Sequence, residues 1–261
     1  MSGSLAKFAA PLAVGVLFLM AWEAVVRHYA IPPYILPGPM LVAETLWRDG
    51  PSLLASLWVT LRITAAALAA AVILGGAIAI LFAQSRWLEL SFFPYAVILQ
   101  VTPIVSIAPL IIIWVNDTFV ALLVCAWIVA FFPVVANTTL GLQSADRNLV
   151  ALFRLYGATR WQVLRHLRLP SALPYFLAGV RISGGLALIG AVVAEFVAGT
   201  GGAETGLASR ILEAGYRLEI PRLFAALLLL SLTGILIFAA LSWLSNALLA
   251  HWHESALPEE E

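Results

Sequence analysis

Long uninterrupted apolar runs limit what this chain can fold into more than any other feature. Six of them, at about 8–27, 57–83, 92–115, 118–141, 174–198 and 222–250, reach the roughly 20 residues a helix needs to cross hydrocarbon. In a bilayer every backbone N–H and C=O must be satisfied internally, which leaves helices or a closed barrel. The apolar residues are contiguous rather than alternating, so helices are expected. Composition agrees: 62% of residues are hydrophobic and 11% charged, too few charges to clothe a water-soluble domain of 261 residues. The expected fold class is all-α, a polytopic membrane protein with six transmembrane helices.

The first run carries Lys7 as its charged flank. It is longer than a secretory h-region and no small-x-small cleavage site follows, so it reads as a retained span. Next comes "IPPYILPGP" (31–39), whose four prolines forbid a regular helix. A short amphipathic helix is expected at about 40–49, before the second span. The third run contains Pro94, Pro103 and Pro109 and must bend or break. Small residues at 65–79 read as a close-packing helix face. Trp22, Trp58, Trp87, Trp114 and Trp252, near span ends, read as interfacial anchors.

With the N-terminus cytoplasmic, Lys7, Arg86, Arg147, Arg154, Arg160, Arg165, Arg168 and Arg181 fall inside and the other six basic residues outside. The dense basic cluster after the fourth span also favours both termini and that loop inside.

Several function classes lose support. Net charge is zero, so no overall field points to nucleic acid. The single cysteine, Cys125, lies in an apolar run and offers neither a disulfide framework nor a thiol–metal site. Histidines stand scattered at 28, 166, 251 and 253, which does not favour a membrane enzyme. His251 and His253, with the acidic C-terminus, read as a polar tail rather than a metal site. A phosphate-binding loop needs Gly-x4-Gly-Lys-Ser/Thr, and Lys7 is the only lysine. "GTGGAETG" (199–206) follows a span and reads as an outer loop.

The segment "RLYGATRWQVLRHLRLPSALP" (154–174) is the polar exception. A short helix is expected from Asp146 to Tyr156, interrupted by Gly157. Thr159 and Gln162 form a capping box for a second helix, from Arg160 to about Arg168, stopped by Pro170. Trp161, Leu164 and Leu167 are expected on one apolar stripe, with the arginines elsewhere. On physical pattern alone, two readings stand: a loop held to lipid headgroups by its arginines, or a rigid knuckle that docks into a soluble partner.

That segment resembles the cytoplasmic signature of permease subunits of binding-protein-dependent ABC importers: Glu-Ala-Ala, three residues, Gly, nine residues, Ile-x-Leu-Pro. Gly157 takes the glycine position and Leu167-Arg168-Leu169-Pro170 the closing element. Residues 175–196 resemble the family's fifth span, and "IPPYILPGP" and "PIVSIAPLIIIW" resemble its nitrate/sulfonate/taurine branch. Ala151-Leu152-Phe153 departs from Glu-Ala-Ala and lacks the acidic residue.

The resemblance implies a type I importer permease fold, with residues 1–261 as a single permease domain and a coupling loop at about 142–173 on the cytoplasmic side. It implies a second copy of the permease, cytoplasmic ATP-binding subunits carrying ATP and Mg, and an extracytoplasmic solute-binding protein, in the bacterial inner membrane. No cofactor is expected on this chain, and no enzymatic activity of its own. Tyr156, Gly157, Ala158, Thr159, Arg160, Trp161 and Pro170 are the implied ATPase-coupling residues. The solute is expected to be a nitrate-, sulfonate- or taurine-like anion, or a pyrimidine-type precursor.

Gln100, Thr102 and Ser106 flank Pro103 in the third run, and Asn137 lies in the fourth. Each suits either the translocation path or helix–helix hydrogen bonding. Glu195 in the fifth span is a candidate for the path or for interhelical pairing, and Glu23 reads as an interfacial residue. An ATP-independent secondary transporter or channel is the alternative class. It calls for ionisable residues near mid-span, which the spans do not clearly offer.

Overall fold

The computed structural model describes residues 2–199 and 205–250, with side chains from residue 9 onward. His251, His253 and Trp252, and most of "GTGGAETG", lie outside the described residues. Among the described residues ten α-helices follow in order: α1 (Ser2–His28), α2 (Pro39–Gln84), α3 (Arg86–Val101), α4 (Ile104–Trp114), α5 (Thr118–Gln143), α6 (Arg147–Leu155), α7 (Arg160–Val163), α8 (Leu169–Ala198), α9 (Leu207–Tyr216) and α10 (Ile220–Leu249). Among the described residues five helical stretches are long and apolar enough to cross a membrane, or six when the bent pair α3–α4 counts as one. The expected all-α fold and its spans are observed.

The third span breaks at one of its three prolines. α3 and α4 meet at 99°. Thr102, which precedes Pro103, is extended at φ −71° and ψ 121°, the geometry toward which a following pyrrolidine ring pushes a residue. The Thr102 hydroxyl and amide both donate to the Ile98 carbonyl, at 2.7 and 3.1 Å, and close the end of α3. Pro94 and Pro109 are absorbed inside α3 and α4.

Two expected boundaries are absent. The short helix at 40–49 and the second span form one helix of 46 residues that passes through Pro51. Pro170 does not stop a helix either. Between α7 and α8 the chain makes a π-turn (Leu164–Arg168), in which the Leu169 amide reaches back five residues to the Leu164 carbonyl. The widened turn makes room for the Pro170 ring, which in a regular helix strikes the carbonyl four residues earlier. Arg160–Ala198 is therefore one helical stretch of 39 residues.

The chain divides into two compact units. One comprises Met1–Val59 and Gly199–Ser231. Here the proline-rich segment is a non-helical turn, and Pro39 begins α2, where its missing N–H costs nothing. The Glu23 carboxylate accepts from Arg27 Nε at 2.6 Å and from the Met40 amide at 3.3 Å. It thus serves one of the free amides that open α2, and is more than an interfacial residue. Trp22 packs between Phe18 and Phe224, with tilted rings and centroids 6.3 and 5.8 Å away. Ion pairs tie Arg210 and Arg217 to Glu213, each at 2.8 Å, and join Arg222 to Glu219 at 3.4 Å and Asp49 at 3.7 Å.

The other unit comprises Thr60–Ala198 and Leu232–Glu261. Its centre is the pair α5–α8, packed backbone against backbone through small residues. A Cβ at Gly190 would stand 2.8 Å from the Ala126 Cα, and one at Gly141 would stand 2.9 Å from the Ala172 Cα. Ser183 donates to the Ala130 carbonyl at 2.6 Å across the same seam. Ala71, Ala130, Val134 and Ala187 form a buried cluster beside it. Close approach suits a bilayer, where lipid is as apolar as a leucine and contact area decides association.

Candidate functional site

The segment between α5 and α8 is built from two capped ends. Asp146 opens α6 by accepting from the Asn148 amide at 2.7 Å. At the other end Gly157 adopts φ +72°. The Gly157 amide donates to the Arg154 carbonyl and the Ala158 amide to the Phe153 carbonyl, both at 3.0 Å. This paired pattern is the Schellman motif, which needs a left-handed residue where glycine carries no penalty. Phe153 and Ala158 then pack on the same small core, formed by Ala145, Val163 and Leu167. Bulky Phe153 has a structural use here that the sequence alone did not reveal.

The capping box is present. The Thr159 amide donates to Gln162 Oε1 at 2.7 Å, and the Gln162 amide to Thr159 Oγ1 at 3.3 Å. The expected stripe is corrected. Leu164 and Leu167 are buried with Val163, whereas Trp161 is 62% exposed. At 100° per residue Trp161 points about 120° away from Leu167, so one face cannot hold both.

The result is a knuckle, capped by hydrogen bonds, that exposes large apolar side chains among polar ones: Leu155 and Tyr156 are both 84% exposed, Leu152 and Trp161 are exposed, and so are Arg154, Arg160, Gln162, Arg165 and His166. A shallow hollow of about 310 Å³ between Leu152, Tyr156, Gln162 and His166 indents this surface. Arg160 is exposed at its side, and Pro170 lies back at the root of α8. Of the predicted loop residues the structure therefore gathers Tyr156 to Trp161 on one turn and leaves Pro170 apart.

The residues proposed for the path are not gathered in this way. Gln100 and Ser106 lie exposed on either side of the α3–α4 break, with Thr102 at the break itself. Asn137 donates to the Pro133 carbonyl of its own helix at 2.8 Å. Glu195 is buried, 1% exposed, and accepts from the Thr60 hydroxyl of α2 at 2.8 Å. Among the described residues no group of three or more His, Cys, Asp or Glu is placed to hold a metal ion.

Sequence reading missed α9, a ten-residue helix that buries Leu207, Ala208 and Ala214. Gly206 at its start and the spacing of those apolar residues were the available signals.

Comparison with known proteins bears on the whole chain. A family model described as "binding-protein-dependent transport system inner membrane component" matches residues 71–251. The riboflavin transport system permease protein RibX of Chloroflexus aurantiacus is 36% identical, over 92% of this chain and 88% of its own length. The formylaminopyrimidine transport permease protein ThiX of Halalkalibacterium halodurans is 34% identical, over 89% and 92%. The taurine transport system permease protein TauC of Escherichia coli is 29% identical, over 93% and 90%. Among solved structures, an amino acid ABC transporter aligns with a TM-score of 0.63 at 20% identity, over 78% of this chain and 97% of that one. That likeness speaks for the fold.

Proposed function

The chain belongs to the family of binding-protein-dependent transport system inner membrane components, and from that premise we propose how a permease of an ABC importer uses the parts described above. The knuckle at Tyr156–Trp161 is the coupling element that a cytoplasmic ATPase grips. The observation that carries this reading is the exposed apolar turn of Leu152, Leu155, Tyr156 and Trp161, held rigid by the Schellman motif and the capping box. An apolar patch at the end of a stiff element marks a protein contact.

The remaining assignments follow from it. The knuckle and both termini face the cytoplasm, and residues 1–261 act as one permease domain in the bacterial inner membrane. Two copies enclose the path, an extracytoplasmic binding protein delivers the solute, and ATP with Mg binds in the partner subunits. ATP-driven closure of the ATPase pair shifts the knuckle, and the membrane helices alternate access as it moves. Gln100, Thr102 and Ser106 at the α3–α4 break, together with Asn137 and Glu195, contribute polar groups to the path. The solute is a nitrogen heterocycle, because the relatives named for riboflavin and formylaminopyrimidine transport are more similar, at 36% and 34%, than the one named for taurine, at 29%.

Two measurements test this. Tagged protein purified in mild detergent is expected to bring an ATPase with it, and Gly157→Asp is expected to lose both that subunit and transport while still inserting. Transport into liposomes without any ATPase would overturn the reading in favour of a secondary transporter or channel. Uptake driven by the cognate binding protein is expected with a pyrimidine or flavin solute and not with taurine; the reverse preference refutes the solute class.

A further inference from the structure

A second feature borders the knuckle. A cavity of about 430 Å³ lies between the end of α2, the start of α3 and the α6–α7 segment. Arg86, Arg154, Arg160 and Arg168 all line it, and no Asp or Glu does. A neighbouring cavity of about 380 Å³ shares Arg154 and Arg168, adds Arg147, and again has no acidic residue in its wall. Among the described residues none of these five arginines is in an ion pair. Arg168 donates one N–H to the Ala83 carbonyl at 2.8 Å, which fixes its guanidinium at the rim. The acidic groups nearest in sequence have other partners: Glu89 accepts from Gln143 Nε2 at 2.8 Å, and Asp146 caps α6.

Four arginines line one hollow with no carboxylate in its wall to balance them, so an anion held there can interact with more than one of them. Their planar forks match phosphate oxygens, which accept two parallel N–H bonds. The volume falls within the range of small-ligand sites, about 300–1,000 Å³. Depth relative to the membrane narrows the source. α2 is apolar up to Phe82, and the cavity begins at Ala83, where that span ends. Trp87, 81% exposed, stands at its edge in the position of an interfacial anchor.

We infer that this cavity is a phosphoryl-anion site, filled by the phosphodiester of an anionic lipid headgroup or by a free phosphate ion. Bound there, the anion ties the α2–α3 corner to the root of the knuckle. The site requires only that the α2 end lie at the membrane interface, so it stands even if ATPase docking at Tyr156–Trp161 fails its own test.

Native mass spectrometry of the detergent-purified full chain, titrated with phosphatidylglycerol, phosphatidylcholine or inorganic phosphate, tests the site. The wild type is expected to bind phosphatidylglycerol at least tenfold more tightly than phosphatidylcholine. Arg86→Gln with Arg154→Gln is expected to erase that preference, and Arg48→Gln, remote in the chain and paired with Asp49, to keep it. The single variant Arg86→Gln guards against misfolding, since this exposed side chain makes no ion pair and no hydrogen bond among the described residues; a several-fold loss is expected from it alone. Phosphate that binds the wild type, not the double variant, and displaces the lipid identifies the free ion as an equal source. Phosphate without effect, beside intact lipid preference, identifies the headgroup. A double variant that keeps the preference, or a wild type that binds neither probe selectively, overturns the inference. So does a double variant that loses a co-purifying ATPase while its lipid binding is unchanged, because the arginines then serve the protein partner.

Discussion

Adding one methyl group at Gly190 tests whether backbone contact between α5 and α8 holds the second unit together. A Cβ there would meet the Ala126 Cα at 2.8 Å and its carbonyl oxygen at 3.2 Å. Carbon atoms settle at about 3.5–4.0 Å, so α8 would have to retreat by about 0.7 Å or more. Overpacking of this kind costs about 1–3 kcal/mol. Against it stands a gain of about 1 kcal/mol, because alanine forms helix better than glycine. Gly185, five residues earlier on the same helix, has open space where its Cβ would go, so Gly185→Ala collects the gain without the clash. The two variants should therefore differ by about 1–3 kcal/mol, or about 2–12 °C in melting midpoint at about 2–4 °C per kcal/mol. The protein carries its own reporter. Cys125, its only cysteine, is fully buried on α5 next to Ala126, so a thiol-reactive fluorophore labels it only as the helix pair opens. Gly190→Ala is expected to label at a lower temperature than Gly185→Ala. Equal midpoints would show that the seam yields freely and that the packing argument is wrong.

Thr60→Val removes the hydroxyl that donates to buried Glu195, with an expected loss of about 1–3 kcal/mol; Thr60→Ser should stay near wild type in the same Cys125 assay. Because Gly157 stands at φ +72° in open space, Gly157→Asn should leave thermal stability nearly unchanged, while Gly157→Val should lose about 1–2 kcal/mol. The hydrogen bond from Arg210, aided by Arg217 and Arg222, holds the Glu213 carboxyl below its ordinary value of 4.5. Its stabilising share is thus complete above about pH 4.5 and lost as pH falls through the lowered value. Melting curves from pH 7 to 3 should show a steeper acid decline for wild type than for Glu213→Gln, and parallel declines would exclude the linkage.

Local chemistry in the sequence announced much of this molecule. Apolar length marked the spans, and Gly157, Thr159 and Gln162 marked the knuckle, because a left-handed turn and a capping box depend on neighbours three or four residues away. Proline misled the reading at Pro170, where a helix stop was expected. In water a helix can end at proline and give its free groups to solvent. At Pro170 the π-turn accommodates the ring, and the helix runs on with the Leu169 amide bonded to the Leu164 carbonyl. The Thr60–Glu195 contact joins residues 135 apart, and the arginine-lined cavity assembles 86 with 154, 160 and 168. Neither contact has a periodic signature.

The π-turn that carries the chain past Pro170 has a mechanical consequence. By removing the break expected there, it makes Arg160–Ala198 a single rod of 39 residues, about 58 Å long at 1.5 Å per residue. A rod of that length is a lever arm: a tilt of about 10° at the knuckle sweeps the far end through about 10 Å. Glu195 rides near that far end, three residues from Ala198. In the transport cycle proposed above, a small rocking at the Arg160 end would become a displacement of that size at the Glu195 end.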